Sequence, residues 1–128
     1  VRIFWGDVPM KKIQRLKKNK DFQEVFKNGQ STANRQFVVY VLKKEGQAYN
    51  RVGLSVSKKL GKAVKRNRIK RLIRESVRAL ENRFITGVDC VIIARKPAAE
   101  LDFHETLSSI KHVLNRAGVL QPQRDDRS

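Results

Sequence analysis

Nine Lys and Arg residues and no acid occupy the seventeen positions from Lys58 to Arg74, KKLGKAVKRNRIKRLIR. Guanidinium groups are planar forks that grip phosphate oxygens in a bidentate way, so this run points to a polyanionic partner. On a helix, Arg66, Lys70, Arg74 and Arg78 recur every four residues. They form one stripe, expected to face away from Leu72, Ile73 and Val77, with Arg68 and Arg71 flanking the apolar seam. Asn67 lies among them and can hydrogen-bond a phosphate or a base edge. The ordinary origin of a charge run is a solvated helix face, but such a face usually places Glu one turn from each cation. Here no acid occurs before Glu75.

The second group is aromatic. Phe22 and Phe26 share one face of a segment that reads as a helix, and Tyr40 lies on a predicted strand. Strand alternation puts Val38, Tyr40 and Leu42 on one side and Phe37, Val39 and Val41 on the other. Core packing is the commoner role of such a Phe pair. A neighbouring strand face of Gly53, Ser55 and Ser57 supplies the other reading. Small residues beside aromatics leave a shallow trough in which single-stranded RNA bases can stack while cations track the backbone.

Protein-based catalysis has little to build on. His104 and His112 lie eight residues apart on a predicted helix, and neither has a partner at the spacing of a metal pair. They read as solvated surface residues. Cys90, the only cysteine, alternates within a strand and reads as a small buried residue. Asp102 and Glu105 stand at a helix start, where acids favour the dipole. Neither a G-x-x-x-x-G-K-[ST] nor a G-x-G-x-x-G phosphate loop occurs.

The whole chain sharpens the charge argument. It has 128 residues with 29 Lys and Arg against 12 Asp and Glu, a net +17. Residues 1–74 hold 21 basic and four acidic residues, so the entire excess belongs to them. Solubility alone is met by mixed signs and a net charge of ~2–8. The imbalance points to nucleic acid, with an anionic membrane surface as the competitor. One cysteine excludes an intrachain disulfide scaffold. No apolar run approaches the ~20 residues of a membrane span, and the start VRIFWGDVPMKK has no signal-peptide core. A cytoplasmic location without a membrane partner is expected.

The elements that must position these residues follow from patterning. Residues 1–9 look like an extension outside the domain. A helix is expected from Asn19, as N-cap, to Lys27, with Gly29 as its stop. Strands are expected over Gln36–Leu42 and Arg51–Ser57. The short polar link between them predicts an antiparallel pair. A helix follows from about Lys65 to Asn82. A third strand, Val88–Ala94, is nearly continuous in apolar residues and so expected at the centre of the sheet. The last helix spans Phe103–Ala117, and residues 121–128 form a polar, disordered tail. The order is αββαβα, and an additional short strand near Ser31 is an option the sequence leaves open. The expected class is α+β, a two-layer α/β sandwich on a mixed sheet of about four strands, in one domain over residues 10–120.

The stretches RLKKNKDFQEVFKNG from Arg15, ANRQFVVY from Ala33, RVGLSVSKKLGKAVKRNRIKRLIRE from Arg51 and VIIARKPA from Val91 closely resemble the protein subunits of bacterial ribonuclease P. The resemblance runs from Met10 to about Leu120 in order and spacing, and the segment holding Arg66, Asn67 and Arg68 looks like the family's arginine-rich signature. It implies a ribonucleoprotein endonuclease that removes the 5′ leader of precursor tRNA. The catalytic RNA subunit would hold the active site and the Mg²⁺, with no organic cofactor. The protein would be an accessory subunit that binds this RNA and the leader. The resemblance also implies a left-handed βαβ crossover, against ordinary statistics. Carried over by position, the leader cleft matches Phe22, Phe26, Val38, Tyr40 and Ser55. RNA-backbone contacts match Lys58, Lys59, Lys62, Arg66, Asn67, Arg68, Lys70, Arg71 and Arg74. The start through Pro9 falls outside the pattern, and Met10 is the more natural initiation site. The rivals are an RNA-binding ribosomal or assembly protein on the same fold, a DNA-binding protein, and a metal-dependent nuclease. The last of these lacks a carboxylate cluster in the sequence.

Overall fold

The computed structural model describes residues 13–122, together with the backbone of Phe4–Trp5 and Val8–Pro9. These two pairs form a small antiparallel ladder, β1 (Phe4–Trp5) with β2 (Val8–Pro9). The rest of the expected N-terminal extension, and the tail from residue 123, lie outside the described residues.

Five further strands make one mixed sheet: β3 (Ile13–Arg15), β4 (Gln30–Ala33), β5 (Phe37–Lys43), β6 (Asn50–Ser55) and β7 (Val88–Ala94). Their order across the sheet is β3-β6-β7-β5-β4. The three helices are α1 (Asn19–Asn28), α2 (Ala63–Leu80) and α3 (Phe103–Arg116). β4 is the short strand near Ser31, and β3 raises the strand count above the expected four.

One pairing differs from expectation. β5 and β6 run in opposite directions but do not pair, because β7 lies between them. Val88–Ile92 of β7 are all buried, so this strand must be covered on both faces and takes the middle. β5 pairs with it antiparallel and β6 parallel. The sequence β6–α2–β7 is therefore a parallel crossover unit between adjacent strands.

The helices divide between the two faces. α2 and α3 bury Ile69, Ile73, Val77, Ile110, Val113 and Leu114 against Phe37, Val39, Val52, Cys90 and Ile92. This is the expected sandwich. α1 covers part of the other face, where Leu16, Val25 and Val91 are buried with Phe22, Tyr40, Leu42 and Ile93 around them. Helix starts shift slightly. Lys18, not Asn19, is the N-cap of α1, and α2 begins two residues early, at Ala63. α3 opens on a capping box in which Asp102 and Glu105 bond reciprocally to each other's backbone N–H groups, at 2.8 and 3.0 Å. The chain end is tied back, since the Arg83 guanidinium donates to the Gln121 carbonyl. Gln121 thus belongs to the packed part and not to the expected tail.

Candidate nucleic-acid interface

Sheet register brings together the residues expected to line a leader cleft. Tyr40, Val91 and Gly53 stand side by side across β5, β7 and β6, and Val38, Ile93 and Ser55 form the next row on the same face. α1 crosses the first row. Its Val25 is buried in the cluster with Val91, and the Phe22 ring closes over Gly53. A Cβ at Gly53 would stand 2.5 Å from Phe22 Cζ. Glycine at this position therefore lets the aromatic ring rest on the strand. Phe26 meets Tyr40 edge-on with centroids 5.0 Å apart, and Phe22 lies 6.4 Å from Phe26. Phe26 is 40% exposed, while Phe22, Val38, Tyr40 and Ser55 are half-buried.

The result is a concave face beside α1, with Asn19, Phe22, Gln23, Phe26, Leu54 and Ser55 lining a recess between α1 and β6. The three aromatics present ring edges and faces without being sealed in the core, an arrangement suited to stacking bases. Sequence reasoning missed Ile93. It forms the floor between Val38 and Ser55 because β7 is inserted between β5 and β6.

A second recess adjoins the first and shares Phe22. Arg15, Lys17, Lys70 and Arg74 gather there around Leu16, Val52, Gly53 and Leu54. The Arg74 guanidinium is held below its ordinary range, first by burial and then by the like charges of Arg15 and Arg71. Such crowding of cations favours an incoming anion. Arg15 and Lys17 were not singled out from sequence. β3 is only three residues long, and only its pairing with β6 brings its end beside α2.

The structure corrects the expected orientation of the α2 stripe. Arg66, Lys70 and Arg74 do not oppose the apolar seam; they are half-buried along its flank, whereas Asn67, Arg68 and Arg71 are exposed. A helix advances 400° in four residues, so the stripe drifts about 40° per step relative to the axis. Arg66 Nε donates to the Gly61 carbonyl at 3.1 Å, which closes the turn before the helix. Arg68 reaches toward the Leu101 carbonyl at 3.4 Å. Lys58 and Lys59 sit exposed on a single 3₁₀ turn whose start is capped by the Ser57 hydroxyl, and Lys62 is the exposed N-cap of α2. Val64, 84% exposed, stands among these cations.

The histidines and the cysteine stay apart from this surface. His104 and His112 are exposed on α3 and border a cavity with Asn34, Arg35 and Gln36. Cys90 is buried, and burial together with the Asp89 carboxylate pushes its thiol up to about 12. Among the described residues no group of three or more His, Cys, Asp or Glu side chains is placed to hold a metal ion. Asp21 and Asp89 pair with Arg51, Glu24 with Lys44 and Glu100 with Lys65.

The family model for ribonuclease P matches residues 10–118. The chain belongs to the ribonuclease P protein family. The ribonuclease P protein component of Listeria monocytogenes serotype 4a is 59% identical over 112 residues, 88% of this chain and 94% of that one. That of Shouchella clausii is 56% identical over 118 residues, 92% and 97% of the two chains. The solved structure of the Staphylococcus aureus RNase P protein matches at 46% identity with a TM-score of 0.79, covering 84% of this chain and 97% of that one. Membership in the ribonuclease P family implies an RNA partner, and it accounts for the positive excess in residues 1–74. No helix among the described residues is long and apolar enough to cross a membrane.

Proposed function

We propose that this chain is the protein subunit of a ribonuclease P holoenzyme, which removes the 5′ leader of precursor tRNA by endonucleolytic hydrolysis. The hydrolytic chemistry and its Mg²⁺ belong to the catalytic RNA subunit. Five acids of the described residues fit this division: Asp21, Glu24 and Asp89 are engaged by cations, and Asp102 and Glu105 cap α3.

The protein's own residues bind and orient. The observation that carries the reading is the continuity of two surfaces through Phe22, which borders both the aromatic recess and the basic one. Leader bases stack on Phe22, Phe26 and Tyr40 above the Val38–Ile93–Ser55 floor. Arg15, Lys17, Lys70 and Arg74 take up phosphates alongside. The exposed cations Lys58, Lys59, Lys62, Arg68 and Arg71, with Arg66 and Asn67, hold the catalytic RNA. The cytoplasm is the matching compartment.

Purified chain, catalytic RNA and precursor tRNA at low Mg²⁺ test this directly. The chain should stimulate cleavage at the mature 5′ end and should tighten precursor binding more than mature tRNA binding. Two results speak against it. Binding of folded RNA without stimulation favours an assembly protein on the same fold, and cleavage by the RNA-free chain places the chemistry in the protein.

A further inference from the structure

α1 carries the stacking residues, yet little apolar surface holds it. Only Val25 among its ten residues is buried, against six of eighteen in α2. Its acids add ties to the sheet side of the molecule. Residues 1–74 contain four acids, and two of them, Asp21 and Glu24, sit on α1 and each meet a cation outside the helix. Glu24 pairs with Lys44 at 3.0 Å in a partly exposed setting, where screening leaves a small contribution.

The Asp21 pair is different. Arg51 donates from one terminal nitrogen to Asp21 Oδ2 at 3.1 Å. Its Nε and other terminal nitrogen engage both oxygens of Asp89, its register partner on β7. Asp89 is fully buried and also accepts from Gln47 Nε2 at 3.0 Å. The rigid guanidinium fork thus joins a carboxylate fixed in the sheet centre to one on α1. Asp21 directly precedes Phe22, and Arg51 lies two residues before Gly53 on the same strand face. The ion pair therefore stands beside the contact that seats the Phe22 ring.

We propose that Arg51 is a positioning residue for the leader. It ties α1 through Asp21 to Asp89, sets where Phe22 and Phe26 stand, and meets no RNA phosphate itself. The inference rests on the leader-binding reading above.

Simple electrostatics gives a prediction of opposite sign, which makes the test sharp. Removing an acid from a polyanion-binding surface should tighten every RNA. If Asp21 acts by holding α1, Asp21→Asn should weaken precursor tRNA instead. This variant leaves the Arg51–Asp89 pair whole, whereas Arg51→Ala would strand a buried carboxylate.

Holoenzyme reconstituted with Asp21→Asn is compared with wild type for precursor and mature tRNA affinity across a salt series. Precursor affinity should fall roughly 3- to 10-fold, the scale of one partly screened charged hydrogen bond. Mature tRNA affinity and the salt slope should not change. Asp21→Glu should recover most of the loss. In the Phe22→Ala background, Asp21→Asn should cost little more, since both act on one contact. Unchanged or tighter precursor binding by Asp21→Asn, with Tyr40→Ala still weakening it, overturns the positioning role alone. Wild-type precursor binding by both variants overturns the leader reading and the positioning role together.

Discussion

Beneath α2 and α3 the sheet meets a continuous apolar core that runs from Ile13 to Leu120. Beneath α1 it meets three buried apolar side chains, Leu16, Val25 and Val91, ringed by half-buried Phe22, Tyr40, Leu42 and Ile93. The first face excludes water almost completely, so its side chains contribute to folding in proportion to the area they bury. The second leaves aromatic rings reachable, with Arg15, Lys17, Lys70 and Arg74 gathered beside Phe22. The sealed core and the aromatic trough thus lie on opposite sides of one sheet, and β7 serves both: Cys90 and Ile92 point to the core, Val91 and Ile93 to the trough.

The largest expected effect lies on the core side. Phe37→Ala removes a fully buried ring and should cost about 3–5 kcal/mol of stability in a denaturant melt. It should weaken precursor and mature tRNA alike, through loss of folded protein. On the other face, Phe26→Ala or Tyr40→Ala should lower the melt less than Phe37→Ala, because both rings keep part of their surface in solvent. Stacking is worth ~1–3 kcal/mol per base, so precursor affinity should fall about 5- to 150-fold with mature tRNA little affected. A large melting loss from these variants would return the aromatics to a core role and erase the comparison.

Gly53→Ala sharpens it further. The added methyl would meet the Phe22 ring, and an overpacked contact costs roughly 1–3 kcal/mol unless the ring swings aside. Phe22 is the far end of a flexible side chain at the edge of an open recess, so displacement is the expected response. Precursor affinity should drop about 10-fold at most, within the range of one stacking contact, with a smaller stability loss than Phe37→Ala. The smallest effects belong to single cations. Arg71→Ala or Arg74→Ala should each lower the salt slope of RNA binding by roughly 0.7–0.9 while the protein stays folded.

Patterning made the helices, the three long strands and the central place of β7 legible, because each carries a sustained apolar period. It did not reveal β3, whose three residues, Ile13–Arg15, have too little pattern to read and exist as a strand only through pairing with β6. Nor did it reveal that β7 separates β5 from β6. A local link suggests adjacency, but the choice of neighbour was decided by the burial of β7 on both faces. The aromatic and basic residues of the proposed interface were visible by type and spacing. Ile93, Arg15 and Lys17 were not, since their placement depends on strand order and not on any local signal. The link from Asp21 through Arg51 to Asp89 spans three elements and likewise has no sequence signature.

Photocrosslinking from a reactive nucleotide in the precursor leader to the intact holoenzyme tests the central claim most directly, because it reads contact without altering the protein. The account predicts crosslinks in peptides containing Phe22 and Phe26, Tyr40, and Gly53 to Ser55. Crosslinks confined to α3, around His104 and His112, would place the leader on the other side of the sheet and contradict it.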